Sequence, residues 1–132
     1  MSKQVNVLLV AFVVTAMCLP VLTISAWQKT QQKATDDKAA SAAINHLVVS
    51  PTFMFDGFKE SVQVKTVQRL GDGHLVRLEF ECDHSGYGNR SGQTLLQVVT
   101  RHVAEAHVIN GRVVGMVLDG VWDEVGQAFI EG

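Results

Sequence analysis

From Gln4 to Gln28 the chain carries no charged residue, and no feature constrains its folding more. Within that stretch Val5 to Trp27 spans 23 residues, interrupted only by Asn6, Thr15, Pro20, Thr23 and Ser25. At about 1.5 Å per residue a helix of this length crosses a bilayer core of about 30 Å, with Trp27 at an interfacial position. The rest of the chain is too small to surround such a helix, so the sequence predicts an N-terminal transmembrane helix over residues 1–27. Cleavage after Val14-Thr15-Ala16 would leave eleven apolar-rich residues exposed, and Met17 before Cys18 spoils a lipoprotein site. An uncleaved signal anchor is therefore expected.

Lys3 and the α-amine lie on one side of the segment, and Lys29, Lys33 and Lys38 on the other. The positive-inside count mildly favours a cytoplasmic domain. A short basic start running directly into an apolar segment is, however, the layout of an anchor that exports the domain behind it. The expected localisation is a single-pass membrane protein with an extracytoplasmic domain and the lipid bilayer as a partner.

Gln28 to Ala43 contains no aromatic or large aliphatic residue and reads as a polar stalk over 28–43, solvated and with helical propensity. About 90 residues remain, 44–132, enough for one small core and too few for two. They carry seven basic and eleven acidic side chains, a formal charge of −4. Phosphate binding needs clustered positive charge, so nucleic acid is not an expected partner. Cys18 and Cys82 cannot build a disulfide framework.

The periodicity of the remainder is two. Val76, Leu78, Phe80 and Cys82 alternate with Arg77, Glu79 and Glu81, as in a strand with one buried face. Its expected partner is Val62 to Arg69, joined through Gly71-Asp72-Gly73. An Asp72-Gly73 two-residue turn would mix polar and apolar side chains on both faces. A three-residue loop with Gly73 left-handed instead aligns Val62/Cys82, Val64/Phe80 and Thr66/Leu78, with Lys65 opposite Glu79, and is preferred. A second hairpin turns at Asn110-Gly111, a type I′ pair. It predicts Val108/Val113, Ala106/Gly115, Ala104/Val117 and His102/Asp119 on the core face. Val121, Trp122, Val125, Ala128 and Phe129 then recur at helical spacing, interrupted by Gly126. Leu47 to Phe55 reads as a Pro51-interrupted edge strand ending at Asp56-Gly57. The expected fold class is α+β: an antiparallel sheet of four or five strands with a C-terminal helix on one face.

Between the hairpins lies Cys82-Asp83-His84-Ser85-Gly86-Tyr87-Gly88-Asn89-Arg90-Ser91-Gly92-Gln93. Its glycines give backbone freedom, and His84, Tyr87, Asn89, Arg90 and Gln93 are the candidate binding residues. The loop resembles the H-x-G-Y-G-[DN]-R-[ST]-G-Q motif of a family of uncharacterised archaeal-type proteins, membrane-anchored or secreted. His84, Gly86, Tyr87, Gly88, Arg90, Gly92 and Gln93 match it, while Asn89 and Ser91 depart conservatively. Thr52-Phe53-x-Phe55-Asp56-Gly57 and Asp119-Gly120-x-Trp122-Asp123-Glu124 look similar too, so the resemblance covers about 75 residues. It implies no reaction.

The other chemistries fit poorly. Cys82 falls on the inner face of its strand, as a buried inert thiol does. Cys82 and His84 are two ligands where a closed metal site needs about four, and His46, His74, His102 and His107 are scattered, so no metal is expected. Gly86-x-Gly88 lacks the third glycine and the lysine of a phosphate loop, and no cofactor is expected. Asn89-Arg90-Ser91 is a glycosylation sequon. Arg90 suits a loop-organising role, donating to carbonyls or to Asp56 or Asp119. The expected function is a membrane-anchored, non-catalytic accessory or interaction module. It would use the 82–93 loop for partner or ligand contact, with a membrane protein as partner in a larger assembly. The alternative is a small hydrolase-like enzyme using His84, His102 and Asp119.

Overall fold

The computed structural model describes residues 2–132, with side chains described from Thr23 onward. The chain divides into two compact units, residues 1–35 and residues 36–132. Helix α1 (Ser2–Val48) is followed by a short helix α2 (Pro51–Asp56), a 3₁₀ turn (Lys59–Ser61) and six strands. These are β1 (Gln63–Leu70), β2 (Gly73–Cys82), β3 (Thr100–Ile109), β4 (Arg112–Leu118), β5 (Trp122–Asp123) and β6 (Ala128–Phe129). All six form one antiparallel meander in chain order.

Among the described residues no helix is long and apolar enough to cross a membrane. That finding overturns the expected transmembrane helix, its signal-anchor reading and the single-pass membrane localisation. From Thr23 to Val48 the helix carries Lys29, Lys33, Asp36, Asp37 and Lys38, side chains that a hydrocarbon core disfavours. Of the expected anchor, the side chains of Val5 to Leu22 lie outside those described.

Strands β2 and β3 form the centre of the sheet, paired without interruption from Gly73↔Ile109 to Cys82↔Thr100. Val76, Leu78, Phe80 and Cys82 share one face with His102, Ala104, Ala106 and Val108, and all are buried. The cover comes from the end of α1. Ala39, Ala43 and Leu47, spaced four apart along one helical stripe, are buried in the same cluster with Phe53 of α2. The last turns of the expected stalk are thus part of the core, because alanine lets helix and sheet approach closely. On the opposite face Lys65–Glu79, Arg77–Glu105 and Arg101–Glu81 pair at 3.1, 3.6 and 3.2 Å.

Both hairpins depart from the expected registers, the first already at its two-residue turn and then by a bulge, the second by a bulge alone. The first turns at Gly71-Asp72, with Leu70 opposite Gly73 and Gly71 at φ +61°. Gly73 is a packing residue and not the left-handed one: a Cβ there would stand 2.5 Å from the Val108 carbonyl oxygen. A shift between Val64 and Thr66 then sets Val64 opposite Leu78. The Asn110-Gly111 turn forms as expected, both residues left-handed and Val108 opposite Val113. A shift after Val108 sets His107 opposite Gly115 and Ala104 opposite Leu118, so Met116 and Leu118, not Gly115 and Val117, are buried.

Among the described residues there is no C-terminal helix. Asp119 and Gly120 both adopt positive φ, +52° and +72°, a conformation no helix propagates, and Trp122-Asp123 folds back onto Val117-Leu118 as β5. The Asp123 carboxylate accepts from the Val125 and Gly126 amides at 3.0 and 3.1 Å, closing the turn to β6. The stripe that suggested a helix stays outside: Val121, Val125 and Phe129 are exposed. Nor is Leu47 to Phe55 an edge strand. Leu47 ends α1 and Pro51, whose missing N–H costs nothing at a helix start, opens α2. The observed architecture is a helix-covered six-stranded meander.

A chain beginning at Asp36 is expected to unfold cooperatively in urea. One beginning at Ile44, lacking Ala39 and Ala43, is expected to lose that cooperativity and its near-ultraviolet circular dichroism, because the inner face of the sheet is uncovered.

Candidate functional site

The loop after β2 is held by the segment that leaves α2. Gly57 bridges Cys82, the Phe58 amide donates to the Glu81 carbonyl at 2.9 Å, and the Asp83 amide donates to the Asp56 carbonyl at 3.1 Å. This short antiparallel run brings the Asp56 carboxylate beneath the loop. One of its oxygens accepts both the His84 amide, at 2.8 Å, and His84 Nδ1, at 2.9 Å. The other pairs with Arg90 Nη2. Arg90 is only 2% exposed. Its Nη1 donates to the Gly86 carbonyl at 2.8 Å, and its guanidinium carbon lies 4.6 Å from the Phe55 ring centroid. Gly86 has φ +97°, and a Cβ there would meet Arg90 Cδ at 2.9 Å. Glycine is required by both backbone and space.

Asp119 anchors the other side of the loop. The β4 bulge prevents the expected ladder pair, so the Asp119 amide donates to the Val103 carbonyl at 2.8 Å instead. Its carboxylate nevertheless reaches His102. Oδ2 lies 2.6 Å from His102 Nδ1 and accepts the Tyr87 hydroxyl at 2.9 Å, while Oδ1 accepts the Val103 amide at 2.7 Å. Tyr87 stacks on Trp122 with centroids 5.6 Å apart and rings 11° from parallel, and Phe129 meets both edge-on at 5.9 and 5.0 Å. His102 continues this cluster inward, between Tyr87 and Phe80.

A third carboxylate ties these two together. Glu124 is buried, accepting the Thr52 amide at 2.8 Å, the Thr52 hydroxyl at 2.6 Å and the Trp122 indole N–H at 2.8 Å. The Thr52 oxygen in turn accepts the Gly88 amide at 2.7 Å. Helix α2, the loop and the β5–β6 hairpin therefore meet at one buried polar knot.

The five candidate binding residues separate into two groups. His84, Tyr87 and Arg90 turn inward to carboxylates. The Asn89 side-chain oxygen accepts the Ser91 amide and hydroxyl at 3.0 and 2.6 Å. The Gln93 amide donates to the Arg90 carbonyl at 3.1 Å, and its residue is exposed. Asn89 and Ser91 line a depression of about 480 Å³ with Pro51, Met54 and Phe55. A second, of about 310 Å³, lies over Lys65, Glu79, Glu81 and Arg101. Neither joins His84 to Asp119. The structure pairs His102 with Asp119, gives His84 to Asp56, and leaves His102 Nε2 enclosed without a partner. Thr52, Asp56, Trp122 and Glu124 escaped selection as site residues, because nothing local in the sequence shows that they meet.

Burial raises the Cys82 thiol from 9.0 to about 12, reinforced by the Asp56 charge and opposed by Arg90. That is an inert thiol and not a nucleophile. Burial likewise raises Tyr87 from 10.0 to about 12, aided by its hydrogen bond to Asp119.

Replacing Arg90 by Met should cost about 3 kcal/mol in urea unfolding, because it strands the Asp56 carboxylate and the Gly86 carbonyl. The two raised values set an alkaline limit. A group whose pKa rises on folding contributes its full stability below its unfolded value and loses it as pH climbs through the folded one. Stability should thus fall between about pH 9 and pH 12. Tyr87 is the chain's single tyrosine, so its phenolate absorbance should titrate near pH 12 in the native protein and near pH 10 in urea; a native midpoint near pH 10 would show the ring solvated and the Asp119 bond absent. Comparison with protein-family models, curated proteins and solved structures finds no match for this chain.

Proposed function

We propose that residues 36–132 form a non-catalytic interaction module, whose contact surface is the depression between α2 and the Asn89–Ser91 arm of the loop. The observation that supports it is the use the loop makes of its own polar side chains. Arg90, His84 and Tyr87 are spent on Asp56 and Asp119, which hold the loop in one shape, and among the described residues neither depression is lined by an acid, a base and a nucleophile together at this loop. Against that rigid frame Met54 stands 69% exposed, beside Pro51 and Phe55, with the Asn89 and Ser91 side chains opposite. An apolar wall facing a small polar one is the pattern of a binding site, where a few polar groups orient a ligand held largely by burial. Preorganisation lowers the ordering cost of binding.

The test compares proteins retained by the immobilised chain and by two variants of equal thermal stability. Met54→Asp is expected to weaken retention of any specific partner tenfold or more, about the effect of losing one apolar anchor. Leu70→Asp, which alters an exposed leucine at the far end of β1, is expected to leave it unchanged. Equal retention by all three overturns the surface assignment. Hydrolysis of a model ester or peptide that disappears in His102→Gln at unchanged stability would favour the enzyme reading instead.

A further inference from the structure

Among the described side chains the sulfur atoms of Cys82 and Met116 are sealed and that of Met54 is not. Cys82 and Met116 lie on the inner face of the sheet, both 0% exposed, whereas Met54 is 69% exposed. Met54 belongs to the apolar wall of the depression that Asn89 and Ser91 also line. Leucine fills about the same volume, so what methionine adds at this exposed position is its sulfur. The ties that hold α2 do not pass through that side chain. Phe53 is buried in the core, the Thr52 amide and hydroxyl bond to Glu124 at 2.8 and 2.6 Å, and Asp56 pairs with Arg90. A change at the Met54 side chain therefore alters the depression without loosening the helix. On the polar side, Asn89 commits its side-chain oxygen to the Ser91 amide and hydroxyl at 3.0 and 2.6 Å, which leaves its Nδ2 group as a donor at the same depression.

We propose that Met54 is a modification site at which a peroxide switches this contact surface off, an inference that rests on the reading of the depression given above. The thioether sulfur gives a lone pair to one oxygen of hydrogen peroxide and the O–O bond breaks. The departing hydroxide takes the proton left on the new S–O group, so the products are methionine sulfoxide and water. Sulfur is oxidised by two electrons and the peroxide is reduced by the same two. Oxidation converts a flexible apolar side chain into a polar one. The new oxygen is a hydrogen-bond acceptor in the middle of the apolar wall, at a depression that already holds the Asn89 donor. Covering that oxygen with an apolar partner removes it from water, a cost the thioether does not carry, so the partner is released. Met116 and Cys82, enclosed in the core, leave the fold intact while Met54 reacts. The modification is reversible, because methionine sulfoxide reductases return the sulfoxide to the thioether.

The test treats the full-length chain with hydrogen peroxide and reads conversion at each methionine by peptide mass mapping. Met54 is expected to convert at least about tenfold faster than Met116, whose reaction waits for local opening of the core, and the two rates should become equal in urea. The chain oxidised at Met54 is expected to keep the thermal midpoint of the parent. Its retention of proteins from solution, measured on the immobilised chain, should fall about tenfold, as for Met54→Asp, and return after treatment with sulfoxide reductases. Peroxide is expected to leave retention by Met54→Leu at that variant's own untreated level, which separates Met54 from Met1, Met17 and Cys18. Equal conversion of Met54 and Met116 in the folded chain would overturn the proposal. So would a peroxide-dependent loss in Met54→Leu as large as in the parent, or an oxidised parent that retains its partners while Met54→Asp does not. Retention that neither oxidation nor Met54→Asp alters removes the contact surface itself, and the switch falls with it.

Discussion

A guanidinium with 2% exposure cannot be left without a counter-charge, and the pairing of Arg90 with Asp56 organises the rest of the domain. To meet Arg90, Asp56 must leave α2 alongside the end of β2, which it does through the Gly57–Cys82 bridge and the Asp83 amide. The same carboxylate then has a free oxygen for His84. With Arg90 turned under the loop, Gly86 has no room for a side chain, and Tyr87 is directed the other way, onto Trp122 and Asp119. The loop's shape thus follows from the need to neutralise one buried cation. Three carboxylates, Asp56, Asp119 and Glu124, supply the acceptors on which it rests.

These ties explain why the loop reads as reactive and behaves as structure. Its histidine, tyrosine and arginine are residue types that catalysis employs, and each already has a partner. Asp119 accepts three donors and His102 is enclosed by aromatic rings, so the pair that looked most like a base and its orienting acid is built into the wall between sheet and hairpin. What remains outward is short: Asn89, Ser91 and Gln93, beside the apolar side chains of α2.

The two β-bulges show how small a displacement changes a site. Without the extra residue in β4, Val117 would face the core and Met116 the solvent. The one-residue shift reverses them and releases Asp119 from the ladder, so that its carboxylate can serve His102, Tyr87 and the Val103 amide at once. Turn chemistry specifies the register next to the turn, and packing several residues away decides whether it continues. That is why Val108 opposite Val113 was legible and Ala104 opposite Leu118 was not.

Alternation of apolar and charged residues from Val76 to Cys82 and the Asn110-Gly111 turn determined, by local stereochemistry alone, a central antiparallel sheet with one buried face and the side chains that line it. Thr52, Asp56, Trp122 and Glu124 lie far apart in the sequence and carry no local sign that they meet. Other features had no local signature. Ala39 and Ala43 are as polar-looking in context as any stalk alanine, and only the sheet above them makes them core. Val121 to Phe129 has helical spacing, but left-handed Asp119 and Gly120 and a free strand edge on β4 make it a hairpin. Gly73 looks like a turn glycine and is instead required by the Val108 carbonyl of a strand more than thirty residues away. Each depends on atoms distant in sequence, and burial, close approach and shared hydrogen-bond acceptors exist only once the chain has closed on itself.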